Sequence, residues 1–350
     1  MLPVSTLNIS TLKPPDRNQP SVPAAIPLLL IGHGSRDEQG RQAFMELAEH
    51  YQQISPHRPV IPCFLELTIP TIADGVAQCL AQGYTEIVAM PVLLFGARHN
   101  KYDVTIELDR LQKLHPGLVI HYGAPIGIRL DILDLMQQRL AAVEAASTAD
   151  IARQDTVLLF VGRGSSDPEA NAETCKLARL LWEGSGYGEL EICFIGITHP
   201  RLEQGFVRAL RANPRRIIVV PYFLFTGVLL KKIQRITTEQ RQAHPHIEYL
   251  ELPELGLDPA VMQGLLDREQ EAIAGVGSMN CHLCKFRRAV AETHGSNHSH
   301  DHGHGHDHHG HDHHGHDHHG HDHHGHDHDH AAPDPYATHE AYHHKVWQVP

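Results

Sequence analysis

The feature that most constrains this chain is that it repeats itself once, at a fixed offset of 130 residues. Leu30-Ile31-Gly32-His33-Gly34-Ser35-Arg36-Asp37 reappears as Phe160-Val161-Gly162-Arg163-Gly164-Ser165-Ser166-Asp167. Cys63-Phe64-Leu65-Glu66-Leu67-Thr68-Ile69-Pro70 reappears as Cys193-Phe194-Ile195-Gly196-Ile197-Thr198-His199-Pro200. Pro91-Val92-Leu93-Leu94-Phe95 reappears as Pro221-Tyr222-Phe223-Leu224-Phe225, and Lys101 as Lys231. A period of this length is a domain, not a solenoid unit. Any fold proposed for one half must therefore serve both.

Within the first half, short apolar runs alternate with amphipathic stretches. The strand candidates are 28–31, 60–67, 86–94 and 118–122. The helix candidates are 37–53, 71–81, 101–113 and 131–145. Four βα units in succession call for a parallel sheet with helices on both faces. Ser35 and Glu38 fit a capping box that starts the first helix at Ser35. The pattern restarts after a small, polar stretch at 145–154. The expected architecture is thus α/β, with two tandem domains at 26–148 and 155–275. A Pro-rich leader, 1–25, precedes them, and a tail, 276–350, follows. Leader and tail are expected to be disordered, since neither carries enough apolar residues to bury a core.

Composition excludes some functions. The net charge of -12 argues against a general nucleic-acid binder. No apolar run reaches membrane-spanning length. The six cysteines are scattered, mostly in apolar segments, which reads as a reducing compartment and a cytoplasmic protein.

The duplication also supplies an internal control. Gly, Pro and apolar positions largely match between the halves, whereas three chemically able residues do not. His33 corresponds to Arg163, Glu66 to Gly196 and His99 to Leu229. All three first-half residues fall at or just beyond the carboxyl ends of strands, the edge where open α/β sheets bind ligands. Two imidazoles and a carboxylate make a site for a divalent first-row metal. Nucleotide chemistry does not fit. Asp37 stands where the third glycine of Gly-x-Gly-x-x-Gly belongs, and there is no Walker A loop. Nor does Ser35 lie in the Gly-x-Ser-x-Gly setting of a nucleophile elbow.

Gly32-His33-Gly34-Ser35, Phe64-Leu65-Glu66 before Pro70, and Pro91 through Gly96-Ala97-Arg98-His99 to Asp103-Val104 together resemble the class II chelatases. The similarity is greatest to the long-form CbiX type and extends over about 26–284. It implies two chelatase-like domains around a cleft for a planar tetrapyrrole, sirohydrochlorin. It also implies insertion of Co²⁺ on the way to cobalamin, without ATP or a redox step. Fe²⁺ insertion for sirohaem is the alternative within the family, and Ni²⁺ also suits such a site. By position, His33 and His99 would hold the metal, one of them accepting a pyrrole proton, with Glu66 as the accompanying carboxylate. Imidazole suits both tasks because it titrates near neutral pH. The substrate's carboxylates need donors, for which the candidates are Ser35, Arg36, Arg98, Lys101 and Lys231.

Two appendages remain. Cys281 and Cys284 form a Cys-x-x-Cys, which the resemblance links to an iron–sulfur cluster. Two thiolates are half of such a site, so a cluster would need other ligands or a partner subunit, as in a homodimer that shares it. A pair of free thiols is the other reading. Between His294 and His330 lie 20 of the 33 histidines, interleaved with Asp and Gly. Such a stretch can bind Co²⁺, Ni²⁺ or Zn²⁺ exchangeably, as a reservoir or buffer. A non-enzymatic metal-storage protein with this tail as its working part is the alternative from a different class.

Overall fold

The computed structural model describes residues 26–97 and 99–276, with the backbone alone for His99 and Asn100. The leader, the Cys281/Cys284 pair, the histidine-rich stretch and Arg98 lie outside the described residues.

Each half is a four-stranded parallel sheet flanked by helices. The first runs β1 (Leu28–Gly32), α1 (Glu38–Ile54), β2 (Val60–Phe64), α2 (Ile72–Ala81), β3 (Glu86–Pro91), α3 (Thr105–Leu114), β4 (Val119–Tyr122) and α4 (Leu130–Ala146). The second runs β5 (Thr156–Gly162), α5 (Pro168–Trp182), β6 (Glu189–Phe194), α6 (Leu202–Arg211), β7 (Arg216–Pro221), α7 (Val228–Ala243), β8 (Glu248–Glu251) and α8 (Pro259–Ile273). The strand orders are β2-β1-β3-β4 and β6-β5-β7-β8, so the first strand of each half is central. The registers also correspond: Ile31 lies opposite Cys63 as Val161 lies opposite Cys193.

Strands buried on both faces read as unbroken apolar runs, and alternate residues serve different cores. Leu29 and Ile31 face one cluster with α2 and α3 residues such as Val76 and Leu108. Leu28 and Leu30 face a second cluster. That cluster continues through Phe44 and Leu47 of α1 into Leu158, Phe160 and Leu177 of the other half. The two sheets therefore share one continuous core.

The last helix of each half is exchanged. α4 packs against α5 and β8, and α8 packs against β3 and β4. Sequence order puts α4 with the first sheet, whereas packing puts it against the second. Arg139 of α4 donates to the Leu255 carbonyl at 2.8 Å. Arg268 of α8 donates to the Ile126 carbonyl at 3.1 Å, and Asp267 pairs with Arg129 at 2.6 Å. The connection after α4 is pinned as well. Arg216, 2% exposed, donates to the carbonyls of Ala149 and Ile151.

In the first half, β2, β3 and the start of α1 differ from the sequence reading. β2 stops at Phe64 instead of running to Leu67, because the chain hooks back there. Leu65 N–H donates to Gly32 O, Glu66 N–H to His33 O, and Leu67 takes a left-handed φ of 67°. β3 ends at Pro91, short of Leu94. α1 begins at Glu38 and is capped by Asp37, whose carboxylate accepts from the N–H groups of Gln39 and Gly40. The Ser35–Glu38 capping box does not form. The Ser35 hydroxyl instead accepts from Asp37 N–H at 3.0 Å, within the turn before the cap.

Candidate active site

The carboxyl ends of the two sheets meet across the interface, and the β1–α1 and β5–α5 loops carry the repeat-equivalent residues together. His33 sits at the end of β1, with its side chain 16% exposed. The hooked segment after β2 brings Glu66 beside it, with Oε1 3.6 Å from His33 Nδ1. From the second half, Arg163 donates to His33 Nε2 at 3.2 Å. One imidazole thus lies between the carboxylate of its own half and the guanidinium of the other. Burial lowers the pKa of Arg163, while the negative charge of Glu66 opposes that shift.

His99 opens a π-helical turn, His99–Val104, between β3 and α3 at the same sheet edge. Its side chain lies outside the described residues. The 101–113 helix expected from sequence is therefore split, with a wider turn first and α3 after it. The wider turn changes the hydrogen-bond register. The Thr105 hydroxyl, where the turn passes into α3, donates to the Lys101 carbonyl at 2.8 Å and lies 3.1 Å from that of Tyr102. Such turns are frequent at functional sites. Among the described residues no group of three metal-ligating side chains converges; His33 and Glu66 supply two.

The expected substrate-binding residues divide. Arg36 is exposed beside the site. Lys101 reaches across the interface to Asp167 at 2.8 Å and also contacts Glu169. Lys231 reaches back to Asp37 at 2.6 Å. These are equivalent contacts, since each lysine binds the residue that caps the first helix of the other half. Burial pulls the Lys101 pKa down, but the hydrogen bonds it donates to Asp167 and Glu169 raise it above the ordinary value. Arg98 lies outside the described residues.

The second half departs from the first for visible reasons. At Gly196, the counterpart of Glu66, an added Cβ would stand 2.4 Å from the Arg163 carbonyl. A side chain there would break the Gly196 N–H to Arg163 O bond of 2.8 Å. Ser165 N–H instead donates to Thr198 Oγ1 and Asn171 Oδ1, a local network that steadies the loop holding Arg163. Sequence reasoning missed Arg163 as a member of the site. The signal was its register with His33, which becomes informative only once the two loops are known to face each other.

Aliphatic side chains stand at the same edge. Leu67 and Ile69, next to Glu66, are 51% and 76% exposed, and Val228 at the start of α7 is 62% exposed. Exposed aliphatics beside cationic side chains suit a flat, apolar molecule with anionic substituents. A separate cavity of about 490 Å³, lined by Glu189, Glu191, Arg208 and Arg211, lies at the edge where β6 begins. No described helix is long and apolar enough to cross a membrane.

The chain resembles known proteins along most of its length. The CbiX family model matches it twice, at 27–143 and 157–272. It is 36% identical over 266 residues to a sirohydrochlorin cobaltochelatase of Priestia megaterium, covering 76% of this chain and 86% of that one. It is 32% identical over 222 residues to a sirohydrochlorin ferrochelatase of the same organism, covering 61% of this chain and 80% of that one. Among solved structures, SirB from Bacillus subtilis with Fe³⁺ superposes with a TM-score of 0.62 at 30% identity, covering 72% of this chain and 96% of SirB. A cobalt complex of SirB from Bacillus subtilis subspecies spizizenii gives 0.58 at 28% identity, with the same coverage. With the family matched in both halves of a single chain, the protein belongs to the CbiX family as a tandem of two family units.

Proposed function

We propose that this protein is a sirohydrochlorin chelatase that inserts Co²⁺ as its physiological metal. The observation that carries the reading is the His33–Glu66 pair, set at an interface between two sheet edges, with the second imidazole-bearing residue, His99, in the turn after β3 at the same edge. The likeness to the cobaltochelatase of Priestia megaterium, across 76% of the chain, supports the metal.

Insertion replaces two pyrrole N–H bonds with metal–nitrogen bonds and releases two protons, with no electron transferred. His33 offers Nε2 to the incoming ion. Glu66, near Nδ1, steadies the imidazole as charge develops on it, the usual task of a carboxylate behind a ligating histidine. His99 supplies the second imidazole, and one of the two accepts a pyrrole proton. Leu67, Ile69 and Val228 bound the ring, while Arg36, Lys101 and Lys231 meet its carboxylates. The lysines reach the substrate by exchanging the Asp167, Glu169 and Asp37 carboxylates for those of the ring. Four described cysteines, Cys63, Cys79, Cys175 and Cys193, are free thiols, in keeping with the cytoplasm as the place of reaction.

The test is anaerobic incubation of the purified protein with sirohydrochlorin and either Co²⁺ or Fe²⁺, following the tetrapyrrole absorption spectrum. Acceleration with Co²⁺ over the protein-free reaction, lost in His33→Ala/His99→Ala, is the expected result. Preference for Fe²⁺ assigns the protein to sirohaem synthesis. Absence of acceleration with either ion leaves metal storage as the role.

A further inference from the structure

The contact between His33 and Arg163 has a chemical consequence. A guanidinium has only donors, so the nitrogen it addresses must carry a lone pair. Nε2 of His33 is therefore the unprotonated nitrogen, and Nδ1 carries the hydrogen on the side of Glu66. This is the tautomer a metal-binding imidazole needs, held ready before any metal arrives. The lone pair that would take the metal is also the one that Arg163 occupies.

The surroundings of Arg163 fit a movable group. Among the described residues no carboxylate lies within salt-bridge distance of its guanidinium, and His33 is its only side-chain partner. Its backbone, by contrast, is fixed through Gly196 N–H and the Ser165–Thr198–Asn171 network. The loop is held by these bonds, while the guanidinium is held, among the described side chains, by His33. A positive guanidinium and a divalent cation cannot both sit at Nε2, so occupation by one expels the other.

We propose that Arg163 is a positioning residue that closes the His33 metal site in the empty protein and opens it when the substrate's carboxylates draw the guanidinium away. The inference rests on the chelatase reading for its anionic partner, but its closing half concerns this chain alone. It makes metal and tetrapyrrole binding cooperative. The ring takes Arg163 away from His33, and by linkage whatever frees His33 for metal also frees Arg163 for the ring. It also explains why a second half without the metal-site residues is retained in the site. That half supplies the cation that holds the place of the metal.

The test uses the full-length protein and Arg163→Leu, Arg163→Lys and Arg163→Leu/His33→Ala. The first arm is Co²⁺ alone, by titration calorimetry. The histidine-rich stretch contributes equally to all the proteins and cancels in the comparison. Arg163→Leu is expected to bind one Co²⁺ about tenfold more tightly than wild type, as loss of one competing charged hydrogen bond implies. The gain should vanish in the double variant. The second arm is metal-free sirohydrochlorin binding, by fluorescence. Arg163→Leu is expected to weaken it about tenfold, and Arg163→Lys to restore much of the loss. In insertion assays the KM for Co²⁺ should fall while the KM for sirohydrochlorin rises, a split that general loosening of the fold does not produce. Unchanged or weaker Co²⁺ binding in Arg163→Leu, or a gain that persists without His33, overturns the proposal. If the wild type neither binds sirohydrochlorin nor inserts metal, the chelatase reading falls and the opening half falls with it. The metal-alone arm still decides the closing half.

Discussion

Lys231 donates to Asp37 across the interface at 2.6 Å, and its counterpart Lys101 donates to Asp167 at 2.8 Å. The cap of each leading helix is therefore also the anchor of a lysine from the other half. The Lys231 hydrogen bond holds the Asp37 carboxyl below its ordinary pKa. A carboxyl lowered on folding contributes stability above its unfolded pKa, near 3.9, and loses it as pH falls through the folded value. Lys231→Met should lower Tm by no more than a few degrees, since the lysine is about half exposed. The difference from wild type should be constant from pH 8 to about pH 5 and close in more acid solution. Thermal melts across that range at low and high salt check it, and the difference should shrink with salt.

The exchanged helix α8 is fastened by a buried charge. Glu269, 1% exposed, pairs with Arg58, 5% exposed, and accepts from the Tyr51 hydroxyl at 2.5 Å. Burial, with the charge of Glu269 beside it, drives the Tyr51 pKa well above the ordinary value, so the hydroxyl stays a donor. Removing one partner of a buried pair leaves the other charged and unsatisfied. Glu269→Ala should cost about 3–5 kcal/mol in urea unfolding. Replacing both partners, as Arg58→Met/Glu269→Leu, should recover most of the loss, because the desolvation of two charges is avoided.

How much of this was legible in the sequence follows from which interactions are local. The βα order follows from periodicity, which is set by the face each residue must bury, and the repeat from self-similarity at one offset; the strand order came only with the structure. The hook after β2 was not legible. It depends on Leu67 taking a left-handed conformation and on Glu66 bonding back to His33, residues about thirty positions apart. The same spelling therefore looked like three more residues of strand. The helix exchange was hidden for a similar reason: α4 carries an ordinary amphipathic pattern, and nothing in that pattern says which sheet it will cover. Of the candidate site, the repeat mismatch singled out His33 and Glu66, whose side chains stand 3.6 Å apart. Arg163 looked like mere loss of a histidine until the facing loops gave it a partner.

The roles proposed for His33 and Glu66 should separate kinetically. In the proposed mechanism His33→Ala removes the nitrogen offered to the metal, and it should lower insertion at least about 100-fold. Glu66 is proposed to act through the imidazole, 3.6 Å away, so Glu66→Gln should cost about 10- to 100-fold. Because the amide keeps a polar oxygen near Nδ1, sirohydrochlorin binding should be unchanged in Glu66→Gln. Steady-state rates at saturating tetrapyrrole, with metal varied, distinguish the two.

The turn before α1 sets the position of Glu66, and Gly34 shows how tightly. Its φ of +96° is one that side-chain-bearing residues avoid. A Cβ on Gly34 would fall 1.8 Å from the Glu66 carbonyl oxygen. Gly34→Ala must therefore push the hooked segment away from His33 and break the Glu66 N–H to His33 O bond of 3.2 Å. Gly83 provides the control. Its φ of +86° is comparable, but nothing lies within 4 Å of its Cβ position. Gly83→Ala carries only the backbone penalty, about 1–2 kcal/mol. Gly34→Ala should lose that much or more, together with the His33–Glu66 contact, and insertion should fall at least as far as in Glu66→Gln. Equal activity in the two alanine variants would show that the hook tolerates displacement and that Glu66 need not stand where it does.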